Sequence, residues 1–342
     1  ITEFLASEMG FTVFAIEANM PEARRVNDYV LRGEGDSKEA LAGLYFWTWN
    51  TDEVLEMIEW MRDYNESGSG TIEFWGFDLQ YPTVAMDDLR DFVESAEPDY
   101  LAALSKELDT IREAHEAAVA DRENSAGHYD RWRQAAASVL EHMEDNRDRY
   151  LGSSDGLSVD WAIQNARIIY QGADCRVDGG RSRDESMADN VSWILDHTPP
   201  GTKVVLWAHN GHVNRDPIYR PMGAVLDERY GEDMSVLGFA FHEGEYTAYG
   251  SEGLGTYGTA PSEPGSVEWV LEATGIPSFM LDLRSASDES LLSGWLTEKL
   301  DFRSIGAVAV EFAFWPTVVT DKFDVLVFFS ESHPSRRVTD GP

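Results

Sequence analysis

Three titratable residues close three apolar segments of the chain. Glu17 ends FTVFAIE, Asp78 ends TIEFWGFD and His209 ends KVVLWAH. Runs of this kind, β-branched and aromatic, read as buried parallel strands, and in an open α/β sheet ligands collect beyond the carboxyl ends of the strands. Two carboxylates and an imidazole at one sheet edge are the groups a general acid–base site uses. Each residue also has a plainer reading. Glu17, beside Asn19 and Pro21, suits a helix N-terminus, where a carboxylate contributes about 0.3–1 kcal/mol. Asp78 suits a turn cap, and His209 a hydrogen-bonded core histidine. The string AHNGH (208–212) is the most specific, with two imidazoles, an amide and a glycine that lets the backbone turn. His209 and His212 are too close in sequence to face one site freely, which leaves one catalytic and the other structural. A metal set of Glu17, Asp78, His209 and His212 is the competing use, without His-Glu-x-x-His context or a third histidine nearby. None of the apolar strand-like segments is followed by a Gly-x-Ser-x-Gly elbow, which argues against a serine nucleophile.

The elements that must position these residues follow from periodicity. A helix over Thr2–Met9 ends at Gly10, and helices are predicted over 21–31, over 52–64 with Thr51 as cap, and over 184–197. Between about 84 and 171 strands vanish and long acidic amphipathic helices take over. The expected fold class is therefore α/β, a mainly parallel sheet flanked by helices, with a helical insertion capping the cleft. Residues 1–82 and 172–342 are expected to form the core, and 83–171 the insertion. Further strands are predicted at 234–241, 245–249, 278–283 and 323–328, and the Gly/Ser/Pro-rich stretch 250–265 as a long loop. The aromatic cluster Tyr45, Phe46, Trp47 and Trp49 suits either the wall of an apolar substrate cleft or ordinary core packing.

Composition limits the partners. With 62 acidic and 27 basic residues among 342, the formal charge is −35, and only 5 of the 27 cations are lysines. Such a surface disfavours phosphate backbones and anionic membranes. Its self-repulsion is screened in concentrated salt, where the Debye length falls to about 3 Å at 1 M, so a salt-adapted protein is expected. The single cysteine, Cys175, excludes an internal disulfide and a multi-cysteine zinc site. No apolar run approaches the length of a membrane span, and the first residues lack the features of a signal peptide, so a cytoplasmic location is expected.

Several strings, taken in order, carry a resemblance: FTVFAIEANMPEARRVNDYVLRGEGD, LAGLYFWTWNTDEVLEMIEWMRDYN, IEFWGFDLQ, SRDESMADNVSWIL, VVLWAHNGHV, the Met222–Gly223 pair and VLGFAF. Together they resemble the erythromycin esterase family over essentially the whole chain, most specifically at the strand ends. The resemblance implies a hydrolase that opens esters or macrolide lactones, as in antibiotic resistance, by activated water, with no metal and no cofactor. It implies catalytic roles for Glu17, His209 and Arg183. His212, Asp78, Glu268, Trp47 and Met222 are expected to contact the small-molecule ester or lactone. The family's Gly-Glu-x-x-His, whose histidine is taken as the general base, precedes the first helix and is not among these residues, so the chain is expected to be a piece of a longer protein. Glu17 would then orient that base, while Arg183 and His209 would stabilise the oxyanion, at about 3–4 kcal/mol per donor. A non-catalytic binding homologue is the alternative.

Overall fold

The structure is a computed structural model of the chain, describing residues 1–286 and 294–338. Its elements divide between two compact units, one formed by Ile1–Leu44 and Met61–Leu206, the other by Tyr45–Trp60 and the chain from Trp207 onward.

The first unit opens with helix α1 (Thr2–Met9), which stops at Gly10 in the left-handed conformation, φ 72°. Strand β1 (Val13–Asn19) follows, every residue of it buried except the half-buried Glu17. Helix α2 (Met20–Arg32) starts at once, with Pro21 in its first turn, where a missing N–H costs nothing. Asp36 caps the short α3 (Ser37–Ala42) by accepting from the Lys38 and Glu39 amides. Helix α4 (Asp52–Ser67) carries the boundary between the units, and Thr51 accepts from the Val54 amide at its start. Strand β2 (Glu73–Asp78) pairs parallel to β1.

Five helices then run without an intervening strand: α5 (Thr83–Ala96), α6 (Leu101–Ala120), α7 (Ala126–Asp145), α8 (Arg147–Leu151) and α9 (Gly156–Asp174). They belong to the same compact unit as β1 and β2. Helix α7 packs against both α6 and α9, and α9 against α5. Because α9 is enclosed on most sides, even Gln164 and Asn165 are buried in it. The Trp132 indole of α7 donates to the Ile169 carbonyl of α9 at 2.9 Å. Helix α10 (Arg183–Asp196) and strand β3 (Val204–Trp207) complete the three-stranded sheet, in the order β2-β1-β3.

In the second unit, α11 (Asn210–Val213) and α12 (Met222–Tyr230) precede a four-stranded sheet. Its members are β4 (Leu237–Gly250), β5 (Gly253–Thr259), β6 (Ser278–Asp282) and β9 (Val325–Ser332), ordered β5-β4-β9-β6, with β4 parallel to β9 and the two outer pairings antiparallel. Between these strands lie α13 (Val267–Glu272), the antiparallel pair β7 (Leu300–Arg303) and β8 (Phe314–Thr317), and α14 (Val319–Lys322). Its core gathers Val236, Leu271, Phe302, Phe323, Leu326 and Phe328.

The α/β class and the helical run stand as expected, but three local readings change. The stretch 250–265 is not one long loop, since Gly253–Thr259 forms β5 and pairs with β4 across the turn after Gly250. Its glycines hide the strand signal, and Gly250 leaves room for the Tyr257 ring, whose hydroxyl would lie 2.1 Å from a Cβ there. The two runs 234–241 and 245–249 are one strand, because Gly244, at φ 126°, carries β4 through close contact with Ser332. Strands β7 and β8 are too short, at four residues each, to show a period. Among the described residues no helix is long and apolar enough to cross a membrane.

Candidate active site

At the carboxyl ends of β1 and β2 one arginine holds two carboxylates. Arg183 donates from Nε to Asp78 Oδ1 at 2.9 Å and from Nη2 to Asp78 Oδ2 at 2.6 Å, a two-pronged pair matched to the guanidinium fork. The same Nη2 donates to Glu17 Oε1 at 2.8 Å. The Asp78 side chain is wholly buried, that of Glu17 is 13% exposed and that of Arg183 25% exposed, so water reaches the cluster from the Glu17 and Arg183 side. Burial pulls the guanidinium's pKa down, but Asp78 and Glu17 outweigh burial and hold it above its ordinary value. The three side chains, two carboxylates and one guanidinium, together carry a formal charge of −1.

The backbone builds this arrangement from identifiable signals. Between Ile16 and Asn19, β1 advances three residues while β2 advances only two, from Gly76 to Asp78. This bulge re-aims the end of β1. It requires Gly76, because a Cβ there would lie 2.4 Å from the Ala18 carbonyl oxygen. Arg183 is the first residue of α10, fixed by a capping box in which Ser182 and Glu185 satisfy each other's amides.

A second layer holds Asp78 in place. The Leu79 amide donates to Asp78 Oδ1 at 2.8 Å, and Gln80 Nε2 to Asp78 Oδ2 at 2.7 Å. The Gln80 amide in turn donates to Asn19 Oδ1 at 2.8 Å, and Asn19 Nδ2 to Glu22 Oε1 at 3.2 Å. Sequence reasoning missed Asn19, Gln80 and Glu22 as site residues. Asn19 followed three positions later by Glu22 has the look of a helix cap, and Asn19 does stand at the N-cap of α2, but its side chain bonds no helix amide and accepts instead from the Gln80 amide just beyond β2. Burial pushes the Glu22 carboxyl up to about 7, and its Oε2 has no hydrogen-bond partner.

The other expected site residues lie in the second unit. His209 is the N-cap of α11: its Nδ1 accepts from the Gly211 amide at 3.0 Å, which leaves Nε2 to donate to the Ile305 carbonyl at 2.7 Å. These two bonds fix the orientation of the ring. Gly211 serves close approach and not a sharp turn, because a Cβ there would stand 2.9 Å from His209 Nδ1 and its φ is not positive. His212 is part-buried in the same helical turn, its amide donating to the His209 carbonyl at 2.8 Å. Met222 is buried and begins α12, followed by Gly223, where a Cβ would overlap the Val213 carbonyl. Glu268 is wholly buried. It accepts from the Arg303 amide at 2.8 Å, and burial pushes its carboxyl up to about 7. Trp47 is part-buried and meets Tyr249 edge-on at 5.6 Å. Among the described residues no three His, Cys, Asp or Glu side chains are placed together to hold a metal ion. At the strand ends the balancing cation is Arg183.

An α/β fold with a carboxylate–arginine centre at its strand ends marks an enzyme-like architecture of the strand-edge type. Residues 6–332 match the family model for erythromycin esterase, and the chain belongs to the erythromycin esterase family, which makes it a hydrolase. It is similar to erythromycin esterase type II of Escherichia coli, 25% identical over 330 residues, covering 84% of this chain and 77% of that one. The crystal structure of a Bacillus cereus protein superposes with TM-score 0.84 at 23% identity, covering 99% of this chain and 85% of that one. A mutant of the erythromycin esterase EreC in its open conformation superposes with TM-score 0.72 at 16% identity, covering 99% and 86%. The two structures establish the likeness of fold.

Proposed function

We propose that the protein hydrolyses a carboxylic ester or lactone of a small molecule by attack of an activated water, without a metal. The observation that carries this reading is the clamp of Arg183 on Glu17 and Asp78 at the strand ends. A general base that takes a proton from water becomes a cation, and a fixed, poorly hydrated site of charge −1 stabilises that cation. The family's Gly-Glu-x-x-His histidine is the group this charge suits, with Glu17 as the carboxylate that orients it. Water adds to the ester carbonyl, the tetrahedral oxyanion collapses, and the departing alkoxide takes back the proton. Arg183 spends Nε and Nη2 on carboxylates, which fits a role in holding Glu17 better than a role as oxyanion donor.

The test is a panel of esters and lactones, assayed in molar KCl on protein carrying the Gly-Glu-x-x-His segment. Glu17→Gln is expected to lower kcat by about 100-fold or more, the scale of losing one preorganised electrostatic group. Unchanged turnover would remove Glu17 from the mechanism. For His209, alanine and asparagine separate two roles. If the ring exchanges its Ile305 bond for an oxyanion, both variants lose turnover. If it only caps α11, His209→Asn restores the capping acceptor and the activity with it.

A further inference from the structure

In the first unit, beside the clamp, lies a pocket of about 420 Å³ between the end of β2, helices α6 and α7, and the residues after α9. Its size is within the range of small-molecule sites. In a chain with 62 acidic residues, no carboxylate lines it. Its charged walls are two arginines, Arg122 and Arg176, and neither forms an ion pair with a carboxylate among the described residues. The Arg176 guanidinium lies 5.7 Å from the centre of the Tyr129 ring and donates to the Gly172 carbonyl, so it is oriented, while Arg122 is exposed at the rim. Tyr81, Tyr129 and Val119 supply flat and apolar contact.

We propose that this pocket binds an organic anion, a carboxylate carried on an aromatic or alicyclic ring, with the carboxylate on Arg122 and Arg176 and the ring against the tyrosines. A planar carboxylate matches the guanidinium fork, and unpaired arginines in an otherwise acidic protein are a local minimum of energy for an anion. His115 also lines the pocket, with its ring edge-on to Trp132 at 5.2 Å. Burial and the nearby Arg176 hold its imidazole below the ordinary value, so it meets a ligand as a neutral hydrogen-bonding group. Gln80 joins the pocket to the clamp, since it lines the one and donates to Asp78 in the other. The inference does not depend on the hydrolase reading, because binding is read without turnover.

The experiment is isothermal titration calorimetry of the protein with benzoate, benzamide and inorganic phosphate at constant ionic strength. Benzoate is expected to bind at one site, and benzamide, of the same shape without the charge, about tenfold or more weakly, the equivalent of about 1.4 kcal/mol. Arg122→Gln and Arg176→Gln are each expected to weaken benzoate by about tenfold on the same scale. Circular dichroism confirms the fold of each variant. Arg122 is exposed, so its variant carries the test if Arg176→Gln does not fold. Equal binding of benzoate and benzamide, absence of binding by both, or wild-type affinity in Arg122→Gln overturns the proposal. Phosphate binding as tightly as benzoate overturns the requirement for a ring.

Discussion

Asp78 is the residue on which the clamp turns. With its carboxylate wholly out of water, its charge is tolerated only because Arg183 meets both oxygens and the Leu79 amide and Gln80 side chain add two more hydrogen bonds. Removing one partner of such a pair strands the other. Arg183→Met is therefore expected to cost about 3–5 kcal/mol in urea denaturation, while Arg183→Lys, a point charge without the fork, recovers only part. Glu22 and Glu268 make a different prediction. Both are buried, and each carboxyl is pushed up to about 7 from an ordinary value of 4.5. Between those two values the folded state binds more protons than the unfolded one. Stability is thus fully present below about pH 4.5 and is lost as pH rises through about 7, by about 3 kcal/mol at most for each group. Glu22→Gln and Glu268→Gln keep an acceptor oxygen and lose the charge. Each is expected to unfold later than the parent protein at pH 8 and to show no such gain at pH 4.5, as read by denaturation at both pH values.

At the scale of elements, close approach governs where glycine stands. Gly76→Ala would drive a Cβ to within 2.4 Å of the Ala18 carbonyl, so the β1 bulge must flatten or the strands part. The expected outcome is a loss of several kcal/mol together with loss of hydrolysis, since Glu17 sits in that bulge. The capping box offers a milder perturbation. Ser182→Ala removes the acceptor for the Glu185 amide and is expected to cost about 1 kcal/mol. Arg183, the next residue, would lose its fixed start, so kcat is expected to fall by more than the stability change explains. A parent-like kcat in Ser182→Ala would show that the helix start does not set the clamp.

For the whole molecule, the formal charge of −35 sets the long-range electrostatics. Many of the arginines are tied to carboxylates, as in the Arg32 bonds to Asp28 and Glu34 or the Arg215 bonds to Asp227 and Asp324. The acidic excess nonetheless remains, because arginines and lysines together are outnumbered by more than two to one. Screening should relieve this repulsion, so Tm is expected to rise by several degrees between 0.1 and 2 M KCl. A flat or falling Tm over that range would remove the salt-adapted reading.

The linear chain by itself determined the three apolar strands, the helical run between the second and the third, and the titratable residues closing them, because hydrophobic period and side-chain chemistry are local properties. Glu17, Asp78 and Arg183 were legible on that basis or through the family resemblance. What the order of residues could not show was that one guanidinium joins two carboxylates separated from it by 105 and 166 positions. Nor could it show that His209 spends both ring nitrogens on backbone partners, one of them 96 positions away, or that Glu268 lies wholly buried. The pocket without a carboxylate was equally hidden, its walls drawn from the residues after β2, from α6, α7 and the turn between them, and from the residues after α9. Only the folded chain decides these points, because partner choice, desolvation and the space around a Cβ depend on segments far apart in sequence.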